Sequence, residues 1–473
     1  MLLLLLVLLP AAMAGVAYLV RPVALRLGCL VGTALVHLAV VGWLWAVPLA
    51  PTLSGWLAID PLGLLVLSVV SLLFAVVAVY AVGFLRTEPP RGGRVFVTGL
   101  LGFLAGSTLV AVSHHLALLW VGMETTTLAL APLVYHRHDR RSLEAVWKYL
   151  LLSSVGIALA LLGTFFVAAA QTSGRPLILE DLVSGGAGLQ PALLRTAFVF
   201  LLVGYGTKMG LAPLHAWKPD TYGEAPSLVS GLMAGGLTSC AFLGVARITE
   251  VTMAAGQAAF VEPLLLAFGL VSLVVAAAFI IGQADLKRLL AYSSVEHMGL
   301  LVLGLGLGGV GPYGTVLHLV NNGLTKGFMF LAVGNVVLVT GSASSEAARG
   351  ILRRLPVSGV VLLLGLFAVT GSPPFGLFLS EFTILNAAIA QGHPWIALAV
   401  VLLLALIFVG MAAVVLEVVY RPAETPAPAP RESLLLVAGP ILLLLAVLLL
   451  GLWVPPPLHR VLLDAARGLG VAP

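Results

Sequence analysis

Apolar runs long enough to cross a lipid bilayer recur along the whole chain, and this recurrence restricts the fold more than any single motif. A helix needs about 20 apolar residues to span a hydrocarbon layer of about 30 Å. Applied along the sequence, that length gives about 14 spans, near 2–20, 27–47, 62–85, 95–112, 114–135, 145–170, 194–216, 225–248, 262–283, 288–308, 312–340, 357–391, 394–420 and 432–454. Of the 473 residues, 60% are hydrophobic and only 9% charged, with a mean hydropathy of +1.13. Soluble domains carry about 25% charged residues, so a soluble globular enzyme is excluded. The expected fold is an all-α polytopic membrane protein.

Two spans are interrupted. The segment 357–391 is too long for one straight crossing and contains Gly371-Ser372-Pro373-Pro374, so it reads as a broken helix. The seventh span carries a similar interruption at Gly210-Leu211-Ala212-Pro213. Corresponding breaks in two halves point to an inverted-repeat transporter. The opening segment, MLLLLLVLLPAAMAG, imitates a secretory leader but lacks the basic region such leaders need, and is read as a retained first span. Residues 172–193 form a Gly-rich connection, and 421–432 a Pro/Ala linker whose prolines remove amide donors.

The 24 Lys+Arg residues outnumber the 19 Asp+Glu. All but Lys148, Lys208 and Lys326 sit in short loops, where they report orientation in the bilayer rather than a nucleic-acid partner. One set of alternate loops carries 16, including Arg91, Arg137, Lys218, Lys287 and Arg288. The other carries 5: Arg175, Arg195, Arg247, Arg460 and Arg467. The richer side is expected to be cytoplasmic, which puts both termini outside. Cys29 and Cys240 are too few for an iron–sulfur cluster or a structural zinc site. No cofactor or metal of the chain's own is expected, and redox chemistry is assigned to a partner.

Charges inside spans are costly and default to a functional reading. Glu124 lies ten residues into the fifth span, Lys208 midway along the seventh, Lys326 in the centre of the eleventh, and Glu381 after the break of the twelfth. His297 and His318 add groups that titrate near neutrality. Alternating acids and bases at similar depth suit a proton relay. Glu144 and Lys148 form an i,i+4 pair, readable as local ion pairing or as part of that relay. His215, Asp220 and Glu224 flank the seventh break and either guard proton access or face water. His114 and His115 lie at an outer helix end, where solvation is expected.

The segments WVGMETTTLALAPL (120–133), YGTKMGLAPLHAWKPDTYGEAPS (205–227), DLKRLLAYSSVEHMG (285–299), HLVNNGLTKGFMFL (318–331) and GSPPFGLFLSEFTIL (371–385) resemble the proton-translocating, antiporter-like subunits of respiratory complex I and Mrp antiporters. SLEAVWKYLLLSSVGIALALLG (142–163) resembles the hydrogenase-4 component F branch most closely. The resemblance implies that Glu124 pairs with Lys208, and that His318, Lys326 and Glu381 continue the path. It also implies two inverted five-helix repeats, about 95–250 and 251–420, after a three-helix segment at 1–94 and before a linker and last helix at 421–473. Ser239 stands where relatives often carry a lysine linking the two half-channels, which puts direct transfer through that position in doubt. Lys218 and Tyr222 also depart from the usual PLHxWLPDAHxEAP pattern.

The expected role is a proton-translocating subunit of a multisubunit inner-membrane complex, a group 4 hydrogenase or NADH:quinone oxidoreductase-like assembly. Its partners would be other membrane subunits, peripheral redox subunits carrying iron–sulfur or NiFe centres, and the lipid bilayer. The alternatives are an Mrp-type sodium/proton exchanger subunit, a coupling subunit for inorganic-carbon uptake, or a non-pumping membrane anchor. The charge asymmetry generates a direct test. Reporter fusions at residue 138 should be cytoplasmic and fusions at residue 185 periplasmic; the reverse pattern would invert the orientation.

Overall fold

The computed structural model describes residues 2–47, 49–88, 92–171, 174, 176–422 and 431–470, and among these it contains helices and no strand. The centre of the 421–432 linker, together with Arg91 and Arg175, lies outside the described residues. Among the described residues, 13 helices are long and apolar enough to cross a membrane. They are α1 (Leu2–Leu19), α2 (Val23–Leu44), α3 (Pro61–Thr87), α4 (Gly93–Val112), α5 (Leu116–Val134), α6 (Arg140–Ala170), α7a (Pro191–Met209), α8 (Ser227–Ala254), α9 (Ala258–Ile280), α10 (Leu286–Gly306), α11 (Gly311–Thr340), α13 (Pro394–Tyr420) and α14 (Leu434–Leu452). The fourteenth crossing is divided into α12a (Pro356–Val369) and α12b (Gly376–Ala390), and a short α7b (Trp217–Glu224) continues α7a. Both expected breaks are therefore present.

The helices sort by position. Helices α8 and α10 are almost wholly buried, whereas α1, α2, α13 and α14 bury about a third of their most apolar window. Lipid-facing positions carry exposed Trp147, Phe165, Phe382 and Trp395. Small residues allow the inner helices to approach closely, as membrane packing requires. A side chain at Gly156 of α6 would collide with Thr207 of α7a, and one at Gly299 of α10 with Ser272 of α9.

Loop hydrogen bonds show which ends share a side. The turn before α5 bonds to Trp56 (His114 N to Trp56 O, 2.9 Å) and to the 172–193 connection (Leu179 N to His114 O, 2.7 Å). At the other end, the turn before α10 bonds to the one after α11 (Leu286 N to Ala343 O, 2.9 Å). Arg349 clamps Glu417 of α13 at 2.7 Å.

Three expectations need correction. His114 and His115 are not freely solvated: His114 Nε2 lies 3.5 Å from Asp60, and His115 stacks on Trp56 at 4.3 Å. Arg247, Lys287 and Lys218, counted as loop charges, are all buried. Lastly, α14 is followed by an amphipathic helix, α15 (Pro456–Gly468), whose Leu462, Ala465 and Ala466 are buried and whose His459 Nδ1 lies 2.8 Å from the Tyr313 hydroxyl. Span-length apolar runs do not mark such a helix, because half of its surface is polar.

Arg247 illustrates how a buried cation is held. Its guanidinium makes a bidentate contact with Asp60, through Nη1 at 2.7 Å and through Nη2. Asp60 also caps α3 by accepting from Gly63 N at 3.1 Å. Burial alone would raise the Asp60 carboxyl, but the charge and hydrogen bonds of Arg247, with His114, hold it well below the usual carboxylate range. A carboxyl depressed in the folded state stabilises the fold above its unfolded value near 3.9 and loses that contribution as pH falls. Thermal unfolding in detergent should therefore show a drop in midpoint below about pH 4, and Asp60→Asn should remove much of that drop while lowering the midpoint at neutral pH.

Candidate functional site

Lys208 occupies the last turn of α7a, where the unpaired carbonyls of a helix C-terminus favour a cation. Gly210, at φ +79°, ends that helix. The Lys208 side chain is fully buried, donates a hydrogen bond to the Thr127 hydroxyl and lies 5.6 Å from the centre of the Tyr149 ring. Glu124 acts on Lys208 through space, with its Oε2 unpartnered. The expected pair is thus not in direct contact: Thr127, one turn along α5, makes the contact instead. Glu124 itself is only half-buried.

Lys326 repeats this arrangement. Its ammonium donates to Ser293 Oγ of α10 at 2.6 Å, and the same hydroxyl lies 3.2 Å from Glu296 Oε2. Lys326 and Glu296 are both buried. Glu296 is absent from the expected path, although the signal that selects Glu124 applies to it, since it lies eleven residues into α10. Its neighbour His297 is the residue the sequence pattern selects there instead.

The two histidines touch. His297 Nδ1 and His318 Nε2 are 3.1 Å apart, and His318 Nδ1 lies 3.0 Å from Ser380 Oγ, next to Glu381. The Glu381 carboxylate packs against the α12 break, where a side chain on Gly371, at φ +60°, would overlap it. Candidate ligand atoms of His297, His318 and Glu381 lie within 4.8 Å of one another. The histidines, however, share a hydrogen bond, and the Lys326 charge reaches both of them. That favours proton sharing over cation binding.

Ser239 is buried in α8, and its hydroxyl is not the one to which Lys208 or Lys326 donates. Its hydroxyl donates to Gly235 O at 2.6 Å within its own helix, just after the π-turn Met233–Leu237. The serine and its helix pack beside Gly323 of α11.

Four of the five expected access residues come together. Glu144, Lys148, Asp220 and Glu224 line a cavity of about 390 Å³ with Arg141, Asp285 and Arg288. Lys148 bridges Glu144 and Asp220 at 2.7 Å each, and Arg288 also reaches Asp220 at 2.7 Å. The pairs to Asp220 join α6, α7b and α10, so the i,i+4 pair is one edge of a wider network. His215 does not line this cavity; its ring lies 6.4 Å from Tyr292 and 6.5 Å from Phe279.

Residues 113–407 match the family described as NADH:quinone oxidoreductase/Mrp antiporter, TM. The hydrogenase-4 component F homolog of Methylacidiphilum infernorum is 37% identical over 308 residues, covering 64% of this chain and 65% of that protein. The chain thus spans about two thirds of the length of that relative. NADH-quinone oxidoreductase subunit N of Halorhodospira halophila is 32% identical over 440 residues, 88% of this chain and 87% of that protein. A chain of the membrane-bound sulfane sulfur reductase, an archaeal respiratory membrane complex, shares the fold with a TM-score of 0.91 at 23% identity, over 99% of this chain and 98% of its own.

The bridging hydroxyls lead to a stability test. Ser293→Ala removes the group that joins Lys326 to Glu296 and should destabilise the fold by about 1–3 kcal/mol. Ser294→Ala removes a hydroxyl that bonds only to Leu290 O within its own helix, and should cost under about 1 kcal/mol. Thermal midpoints of the two variants in detergent provide the comparison.

Proposed function

The chain belongs to the NADH:quinone oxidoreductase/Mrp antiporter family, and on that premise we propose that it is the proton-translocating membrane subunit of a multisubunit energy-converting complex. The observation that carries this reading is a pair of fully buried lysines, each hydrogen-bonded to a hydroxyl that sits one turn from a carboxylate. Such a group has somewhere to pass a proton and a nearby charge that sets when it does so.

Protons reach Lys208 from the charged cavity lined by Glu144, Lys148, Asp220 and Glu224. Glu124 and Thr127 hold the charged form of Lys208. The path continues beside Ser239 to the Lys326–Ser293–Glu296 group and the His297–His318 pair, and leaves by Glu381 at the α12 break. A change in the Glu124–Lys208 attraction, driven by redox events in a partner, shifts the proton onward. Residues 95–250 and 251–420 act as the two repeats, each with its break in the fourth helix. The bacterial relatives support an inner-membrane location, and the charge asymmetry supports an orientation with both termini on the periplasmic face.

Two features support partner subunits. A half-buried carboxylate, Glu124, at mid-membrane depth calls for a covering protein surface rather than lipid. The relatives named for hydrogenase-4 and NADH-quinone oxidoreductase also favour a redox-driven assembly, with peripheral subunits carrying the redox centres.

Lys208 offers the sharpest test. Lys208→Ala leaves Glu124 without its cation and should abolish proton transfer while the complex still assembles. Lys208→Arg should also fail, because a guanidinium effectively never releases its proton. Proton uptake by sealed vesicles during turnover is the measurement. Wild-type pumping by Lys208→Arg would rule out cyclic protonation of this residue.

A further inference from the structure

A third fully buried lysine lies over the break that follows Lys208, within electrostatic reach of Lys326, and has no part in the path from Lys208 to Glu381. Lys218, in the first turn of α7b, is 0% exposed, and its Nζ has no hydrogen-bond partner. A lysine kept only to brace the fold would be expected to satisfy its donors, as Lys287 does on Gly223 O and Ala225 O. Lys208 and Lys326 each have a hydroxyl. Lys218 has the face of Tyr222, 5.8 Å from the ring centre.

Its placement is specific. The side chain lies across the α7 break, so that a Cβ on Gly210 would come within 2.8 Å of Nζ. Gly210 is two residues past Lys208. Trp217 Nε1 donates to Thr207 O at 2.8 Å, which pins the start of α7b to the end of α7a and keeps Lys218 over the break. On the other side, Tyr222 packs edge-on against Phe330 at 5.6 Å, one turn beyond Lys326 in α11. The titratable groups that interact with Lys218 are Lys326 from α11 and His297 from α10, with His215 in the break itself. The hydroxyls of Tyr149 and Tyr222 are also buried and unpartnered.

The second break has the same construction. There the positive-φ glycine is Gly371, and the charged side chain packed on it is Glu381, from the half-helix that follows. In each broken helix, then, the break glycine is covered by an ionisable side chain from the downstream half.

We propose that Lys218 is a proton-carrying residue of the first break, passing charge between the Lys208 group and the Lys326 group and taking over the connection that Ser239 cannot make. A hydroxyl can support a water wire, but only a group that binds and releases a proton can store charge between two half-channels. The proposal rests on the proton-translocation reading above, and the experiment separates the two.

The test uses the intact complex in sealed liposomes with a trapped pH dye, with proton flux driven by a potassium/valinomycin potential. Co-purification of the other subunits reports assembly. Lys218→Met and Lys218→Arg should each lower the flux at least tenfold, the first lacking a titrating group and the second unable to release its proton. Lys218→His should retain measurable flux, with its pH profile moved towards acid, since free imidazole titrates near 6.5 and free lysine near 10.4. Lys208→Ala is the companion arm. If it blocks flux while Lys218→Met conducts at the unaltered rate, the path stands and the role of Lys218 falls. If neither changes the flux, both fall. Unaltered flux through Lys218→Arg would reduce Lys218 to a fixed charge and overturn the proposal even where Lys218→Met does not assemble. Equal loss in all three Lys218 variants, with no change in pH profile, would mark a structural role and overturn it too.

Discussion

A charge inside an apolar bundle must be met by another polar group, and much of this fold consists of the means by which that is done. At the bilayer centre an unmet charge costs about 2.5–3.5 kcal/mol on insertion scales and more by simulation. The chain has two solutions. At the N-terminal end of α3 and towards the C-terminal end of α8, Asp60 and Arg247 meet directly in a bidentate pair that also caps α3. In the interior, Lys208 donates to Thr127, one turn from Glu124, and Lys326 donates to Ser293, whose hydroxyl also meets Glu296. The first arrangement locks a guanidinium that never gives up its proton. The second leaves each lysine neighbours that stabilise its charge without capturing it permanently.

The broken helices serve the same requirement. A break at membrane depth frees backbone groups, which is tolerated only where protein or water satisfies them. Both breaks turn on a glycine with positive φ, at Gly210 and Gly371. In both, the missing side chain makes room for an ionisable neighbour, Lys218 or Glu381. A single alanine at either position would both strain the turn and displace the charge. Conformation and chemistry are thus set by the same residue.

The charged cavity lined by Glu144, Lys148, Asp220 and Arg288 is built from three helices. Its pairs are partly exposed, with side chains between 25% and 62% accessible, so each adds little stability. Their effect is to tie α6, α7b and α10 together. Movement of α7b would be felt at once by Asp220 on its rim, by Trp217 against Thr207, and by Lys218 over the break.

The sequence by itself determined the class of fold, the number of crossings and the position of both breaks. Span length, composition and glycine–proline interruptions are local properties, and a bilayer leaves a helix few other ways to satisfy its backbone. It also selected Glu124, Lys208, Lys326 and Glu381, because a charge within an apolar run is conspicuous whatever it touches. What it could not give was the partner of each charge. Thr127 and Ser293 are ordinary hydroxyls until packing sets them against a lysine, and Glu296 gains its meaning only from Lys326, thirty residues away on another helix. Lys218 looks like one more loop cation, since hydropathy places a charged residue beside a Pro-containing break in water. Only the tertiary structure, by folding α7b back against α7a, decided that it is buried over the break at Gly210. Side-chain proximity across helices depends on their packing, which no local pattern encodes.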